Sequence, residues 1–432
     1  MKTKLLYIAA LFVAAMNINA QGAWTQKANF GGTVRQQSAG FSIGTKGYIG
    51  TGRATNGSSW PCYKDFWEYD PLSNTWTQKA DFGGSPRFFA IGFAIGSKGY
   101  IGIGRDTSDG SKGDTKDFWE YDPGANTWTQ KANFGGSTRF SAVGFAIDSK
   151  GYVGTGWHYN GTYFGVSSYT DTKDFWEYDP GTDTWTQKAN FDGGLRSFAI
   201  GFSILSKGYV GTGSEVTNKK DFWEYNPVTD TWTQKADFDG TARYGAVGFA
   251  IGSKGYIGTG QDGTNKKDFW EYDPGTDTWI QKADFDGTAR SFPVGFAIGN
   301  KGYIGTGLDG ISETKDFWEY DPAGISNTTG ISLEENQKNN SSIYPNPFST
   351  NATIVVNSEL SLPAGQAGMQ NTELKIYDAL GKEIKSIGNG QLTVGNNKTE
   401  IKIERNNLPA GVYFYKLTTG YEQIAEGKLM IE

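Results

Sequence analysis

The chain of 432 residues holds a single cysteine, Cys62, which excludes an intramolecular disulfide and leaves any fold to be held by packing alone. It also holds a single histidine, His158, so no site can draw two imidazoles from one chain, and most zinc and copper chemistry is excluded. No metal and no cofactor is expected. Positive charge is not in excess: the formal net charge of −6 gives no general field to gather phosphates, and nucleic acid is not an expected partner. Long hydrophobic runs are scarce as well. One apolar stretch, 5–16, follows Lys2 and Lys4 and precedes Ile18 and Ala20 at small-residue spacing, the layout of a secretory signal peptide (1–20) cut after Ala20. Nothing later approaches the roughly 18 to 20 apolar residues of a membrane span, so a soluble or surface-attached mature protein, monomeric, is expected.

What the chain has in quantity is aromatic residues and glycine, 15% Phe, Trp and Tyr with 14 Trp and 61 Gly, a mixture of bulky β-formers and turn residues. These fall into a sixfold repeat. Lys-Asp-Phe-Trp-Glu-Tyr begins at Lys64, Lys116, Lys173, Lys220, Lys267 and Lys315; Gly-Tyr-(Ile/Val)-Gly begins at Gly47, Gly99, Gly151, Gly208, Gly255 and Gly302. A third recurring element sets an indole at Trp24, Trp76, Trp128, Trp185, Trp232 and Trp279. A period of roughly 50 residues with several short strands per unit points to propeller blades rather than helical repeats. In one unit, four strands are expected at 246–251, 255–258, 268–272 and 277–281, separated by Gly-Ser-Lys-Gly and Asp-Pro-Gly-Thr turns. Alternation sets Phe269 and Glu271 on one side of the third strand and Trp270 and Tyr272 on the other, so both faces carry bulk, as a blade pressed between two neighbours requires. A lone Trp24 strand at one end and a third strand without a following Trp at the other predict a sixth blade closed by the N-terminal strand.

A glycine-ended second strand, an aromatic and acidic third strand running into Asp-Pro, and a Trp opening the fourth together resemble the kelch-repeat family, galactose-oxidase-like in fold, over about 300 residues. The family's double glycine stands here as Gly258-Thr259-Gly260, with Ile103 replacing Thr in the second blade. Beyond Asp321 a polar, aromatic-poor linker (322–342) leads into a unit of short strands at 352–356, 373–377, 400–403, 412–417 and 427–431, expected as a small Ig-like β-sandwich (343–432). Its residues Tyr344, Pro345, Asn346, Pro347 and Phe348, then Tyr377 and Gly381, Gly411 and Tyr413, and Lys428, stand in motifs that closely resemble the type A C-terminal sorting domain of the type IX secretion system. That resemblance implies a Gram-negative bacterium of the Bacteroidetes kind, handling by the type IX machinery, and a secreted or cell-surface product. The expected fold class is thus all-β: a six-bladed kelch-type propeller at 21–321, closed by its N-terminal strand, then a sandwich.

Three sets of residues are candidates for function. An Arg precedes each first strand (Arg35, Arg87, Arg139, Arg196, Arg243, Arg290); it would either form a cationic ring at the channel mouth or, as strict repetition favours, pair across blades with a repeat Glu such as Glu68, Glu120, Glu177, Glu224, Glu271 or Glu319. The repeated Lys-Asp pair is read as strand-capping and solubilising, without chemistry. The loops between second and third strands break the symmetry in blades one (53–63) and three (157–172), bringing Trp60, Tyr63, Trp157, Tyr159, Tyr163, Phe164 and Tyr169 to one face. Flat aromatic surfaces on loops suit glycan or protein recognition. No catalytic set emerges. Kelch-like propellers include copper radical oxidases, whose two His and cross-linked Cys this chain cannot supply, and sialic acid mutarotases, which need only a few Arg and Glu. A binding propeller is therefore the leading reading, with a sugar-modifying enzyme or an adhesive spacer as alternatives.

Overall fold

Every repeat folds into an antiparallel four-stranded sheet because β-branched and aromatic residues alternate through five-residue runs and the turns between them hold residues that tolerate left-handed backbone. The computed structural model describes residues 22–55, 60–106, 113–163, 166–324, 341–344, 351–356, 372–377, 383–387, 393–395, 398–404, 409, 411–419 and 422–431. The expected signal peptide lies outside these residues. The chain divides into two compact units, Met1–Ser326 and Asn327–Glu432. Among the described residues there are strands and turns but no helix, and so none long and apolar enough to cross a membrane.

The first unit is a six-bladed β-propeller. In its fifth blade the strands run Val247–Ile251, Lys254–Gly258, Phe269–Asp273 and Thr278–Lys282, each within a residue or so of the sequence expectation, and they are neighbours in that order. The sixth blade takes its outer strand from the other end of the unit: Ala23–Lys27 pairs antiparallel with Phe317–Asp321, from Ala23 opposite Asp321 to Lys27 opposite Phe317. Trp24 then packs edge-on against Phe269 and Phe285, both at 5.0 Å between ring centroids, and its indole N–H donates to the Ala283 carbonyl at 3.2 Å. The seam of the ring is thus closed by a main-chain ladder and an aromatic wedge.

The core lies between blades rather than within them. One buried cluster combines Phe202, Tyr209 and Phe222 of the fourth blade with Ile257, Tyr272 and Trp279 of the fifth, and the other interfaces repeat it. Polar pins accompany the packing. The Trp279 indole N–H donates to the Ala236 carbonyl at 3.1 Å, and Asp277 accepts both the Ala236 N–H at 2.9 Å and the Tyr272 hydroxyl at 2.7 Å. At the centre the first strands crowd together, so a Cβ on Gly40 would lie 2.2 Å from Val294 Cγ2. The channel they enclose is lined by Gly, Phe, Ala and Ser, and none of its lining residues is charged.

The six repeat arginines are buried, 0 to 1% exposed, and their partner corrects the sequence expectation. Each pairs within its own blade with the Asp of the Lys-Asp pair, not across blades with the Glu. Arg35 is typical: Nη1 and Nη2 reach Asp65 at 2.7 and 2.8 Å, while its remaining donors go to the Thr33 carbonyl and hydroxyl and the Thr51 carbonyl. All five N–H groups are used. The Asp also accepts from an indole, Trp67 Nε1 at 2.7 Å, so the Lys-Asp carboxylate is an internal anchor rather than a solubilising cap. The repeat Glu instead takes the Tyr hydroxyl of the second strand, Tyr48 to Glu68 at 2.6 Å, and a nearby Lys79 at 3.6 Å. Blade four departs: Gly194 stands where its equivalents carry a hydroxyl, and Arg196 Nε is buried without a partner.

The Thr of Gly-Thr-Gly has a role in the same device. Its backbone is left-handed in every blade, with φ from 57° at Thr212 to 61° at Thr259, and 49° at Ile103, a conformation that β-branched residues resist. This twist turns the Thr carbonyl to its own Arg and the following glycine N–H to the next blade, where Gly260 donates to the Arg290 carbonyl at 2.8 Å and Gly307 to Arg35 at 2.8 Å.

In the second unit the described strands form two four-stranded antiparallel sheets. One contains Asn351–Val356 beside Lys398–Glu404, the other Thr372–Tyr377 beside Gly411–Thr419, which in turn pairs with Glu422–Ile431. Leu374, Ile376, Tyr413 and Tyr415 are buried, and the Tyr413 hydroxyl donates to the Pro409 carbonyl at 2.8 Å. Ser341–Tyr344, Glu383–Ile387 and Thr393–Gly395 add strands the sequence did not suggest. How the sheets pack, and with it the expected Ig-like sandwich, lies outside what these residues describe, as do Pro345, Asn346, Pro347, Phe348 and Gly381 and the side chain of Lys428.

Candidate functional site

Antiparallel order brings the start of the first and third strands and the end of the second to one face of the propeller, and on that face the sixfold symmetry breaks. Two residues beyond each repeat Arg stand Gln37, Phe89, Ser141, Phe198, Gly245 and Phe292, all with left-handed backbone, φ 52° to 62°. Their main chains join into a closed circle. Phe89 N–H donates to the Gln37 carbonyl at 3.0 Å, Ser141 to Phe89 at 3.3 Å, Phe198 to Ser141 at 3.1 Å, Gly245 to Phe198 at 3.2 Å, Phe292 to Gly245 at 2.8 Å, and Gln37 back to Phe292 at 3.2 Å. The large residues come from alternate blades. Phe89, Phe198 and Phe292 meet over the channel with centroids 5.1, 5.3 and 5.8 Å apart, and stopper it.

Above this stopper is a bowl of about 360 Å³. The three phenylalanines are its floor; Phe88, Phe140, Trp157 and Tyr169 form its walls, with the guanidinium groups of Arg53 and Arg105. The loop of blade three is a β-hairpin of Trp157–Tyr163 and Val166–Asp171, and it sets Trp157 and Tyr169 stacked at 5.4 Å. Blade two extends its central strands, Lys98–Asp106 and Gly113–Asp122, which places Arg105 beside that hairpin.

The two arginines differ in their surroundings. Arg105 is 8% exposed, bonded to the buried Asp114 at 2.8 Å and within 5.3 Å of the rings of Phe140, Tyr159 and Tyr169. Burial pushes the Asp114 carboxyl above its ordinary range, against the Tyr159 N–H and the Arg105 charge, which act to lower it. Arg53 lies between Phe88 at 4.2 Å and Trp60 at 4.7 Å, and its side chain makes no ion pair or hydrogen bond to another described residue. Its Nε is buried without a partner, and burial lowers its pKa, with Glu313 acting in the opposite sense. Glu313 is itself committed to the seam between blades six and one, accepting Gln36 Nε2 at 3.1 Å, the Thr55 N–H at 3.0 Å and the Thr55 hydroxyl at 2.8 Å. A second unmet group, Gln37 Oε1, is buried at the floor.

Of the loop aromatics proposed from sequence, Trp157 and Tyr169 line the bowl, while Trp60 and Tyr159 flank it by stacking on its arginines. Tyr63 stacks on the buried Arg35 at 4.4 Å and does not line the bowl. The side chain of Tyr163, and Phe164, lie outside the described residues. His158 Nδ1 donates to the Thr138 carbonyl at 2.7 Å, a structural bond. Sequence reasoning missed Arg105 and all the phenylalanines. Their signal was available: the two positions after the repeat Arg read Gln-Gln, Phe-Phe, Phe-Ser, Ser-Phe, Tyr-Gly and Ser-Phe in a repeat otherwise nearly invariant from copy to copy. Among the described residues no cluster of His, Cys, Asp and Glu has a metal-binding arrangement.

Residues 342–432 match the family described as the secretion system C-terminal sorting domain. No curated protein matches the chain. Among solved structures it is similar to one titled "Structure of YjhT", at 16% sequence identity and a TM-score of 0.57, covering 67% of this chain and 95% of that one; a likeness at this identity speaks to the fold.

Proposed function

We propose that this secreted or cell-surface protein, carried out by the type IX machinery that its C-terminal sorting domain addresses, is a ligand-binding propeller whose binding site is the bowl above the phenylalanine stopper. We assign its repeats to the kelch class, its first twenty residues to a cleaved leader, and its source to a bacterium of the Bacteroidetes kind. The observation that carries the binding reading is Arg53: a half-buried arginine whose buried Nε has no hydrogen-bond partner and which forms no ion pair among the described residues, at the wall of a concave aromatic surface. The repeat arginines, each paired with an Asp, belong to the architecture instead. A glycan and surface-protein array probed with the purified chain tests this, beside the double variant Trp157→Ala, Tyr169→Ala. Saturable binding lost in the variant supports the bowl; binding that survives it places the site elsewhere.

One observation favours an enzyme of mutarotase type as the second reading. Asp171, at the foot of the hairpin, has a buried Oδ1 without a hydrogen-bond partner, and burial raises its pKa against the hydrogen bonds from Ser197 and Trp157, the direction in which a carboxyl gains capacity to donate a proton. Sugar mutarotation lost in Asp171→Asn, with the fold intact, would favour it over simple binding.

A further inference from the structure

The bowl has a chemistry more selective than its shape, and the inference drawn here rests on the bowl being the ligand site. What a ligand meets on entering is aromatic carbon: three phenylalanine rings below, and Phe88, Phe140 and the stacked Trp157 and Tyr169 around them. A polyhydroxylated ring would need donors and acceptors distributed around it. The polar residues lining this wall are few, Gln37, Arg53 and Arg105, and two of them are cations. Arg105 is already matched by Asp114 at 2.8 Å. Arg53 is the cation that forms no ion pair among the described residues, held between two aromatic rings in a place where water is partly excluded, while Glu313 acts on it only through its charge and takes its hydrogen bonds from Gln36 and Thr55. A half-buried guanidinium whose Nε is buried and unmet favours an anion, and a planar carboxylate matches its fork.

We propose that the bowl binds a carboxylate carried on an apolar, ring-sized body, the ring seated on Phe89, Phe198 and Phe292 and the carboxylate taken by Arg53. The volume of about 360 Å³ sits at the small end of ligand pockets, room for one or two fused rings rather than an oligomer. Two sources carry this chemistry: a free arylcarboxylic acid, or the apolar last residue of a peptide with its terminal carboxylate.

Calorimetric titration of the purified full chain with indole-3-acetate, indole-3-acetamide, glucuronate, and a tetrapeptide ending in Trp with a free or amidated terminus tests it. The acid should bind at least about tenfold more tightly than its amide, as one charge-assisted bond predicts. Arg53→Gln should erase that preference while leaving the affinity for the amide nearly unchanged. A free-ended peptide that outbinds indole-3-acetate identifies a protein terminus as the source, and the reverse order identifies a small acid. Equal affinity for acid and amide, or glucuronate as tight as indole-3-acetate, overturns the ligand class; if that binding disappears in Trp157→Ala, the bowl stands as the site. No saturable binding by any of the five overturns the proposal, and the array experiment then decides separately whether the bowl binds anything. The acid and amide are compared on unaltered protein, so the result survives even if Arg53→Gln folds poorly.

Discussion

Asp268→Asn isolates the anchor on which every blade depends. In the folded chain the Asp268 carboxylate accepts Arg243 Nη1 at 2.6 Å, Nη2 at 2.7 Å and the Trp270 indole at 2.8 Å, and Arg243 is 1% exposed. The amide keeps the shape and one acceptor but leaves a buried guanidinium without its charge partner. Removing one member of a buried pair costs about 3 to 5 kcal/mol, and the Asp side, 22% exposed, places this case near 3. With an unfolding entropy of about 2.1 cal/mol/K per residue over roughly 300 propeller residues, about 0.6 kcal/mol corresponds to one degree, so the midpoint should fall by about 5 °C. Scanning calorimetry at pH 7 measures it, with Asp70→Asn as the reference, since Asp70 meets Lys46 in a pair that is about 30% exposed on both sides and should contribute little. Acid supplies a second arm. Burial alone would raise Asp268, yet the Arg243 hydrogen bonds and charge outweigh it and hold the pKa below its ordinary value, as also at Asp117, Asp174, Asp221 and Asp316. A depressed carboxylate stabilises the fold fully above the unfolded value near pH 4, and that stabilisation is lost as pH falls through the folded value. The difference between wild type and Asp268→Asn should therefore be constant at neutral pH and shrink below about pH 4. A variant that melts within a degree of Asp70→Asn at pH 7 would refute the anchor.

Gly40→Ala should destabilise by about 2 kcal/mol in guanidinium unfolding, because its methyl would have to displace Val294 where the innermost strands cross. Thr212→Gly should act the other way, raising stability by about 1 kcal/mol, since it relieves a left-handed β-branched residue whose hydroxyl is buried without a partner, less the flexibility glycine adds to the unfolded chain. Trp24→Ala should cost about 3 to 5 kcal/mol, and deleting 22–27 should leave the edge of Phe317–Asp321 open and make the chain self-associate, as light scattering would record.

The propeller was legible because a repeat compares a sequence with itself. Six copies of one strand pattern, and an unpaired Trp24 strand at one end, yielded blade number and closure without any knowledge of side-chain contacts. The Arg partner was misjudged for a reason the topology contains: Asp65 and Glu68 recur with equal regularity, but only the Asp, at the entry to the third strand, shares an end of the blade with Arg35. Glu68 lies further along the strand, opposite Tyr48. The bowl was half visible. Long loops drew attention to Trp157 and Tyr169, whereas its floor comes from short links whose importance follows from where six inner strands converge, a property no single repeat encodes. Arg105 was hidden for a related reason, since it sits in a strand that continues beyond its repeat length.

The circle of six main-chain hydrogen bonds that carries the stopper is made without any of the side chains attached to it. Handedness is its only condition, which disfavours β-branched residues and leaves Gln, Phe, Ser and Gly all in use at one position or another. Recognition and architecture are therefore written in different atoms of the same six residues. A side chain at Gly245, whose Cβ would lie 2.7 Å from the Phe292 ring, should therefore push that ring aside and reshape the floor of the bowl, and with it the choice of ligand.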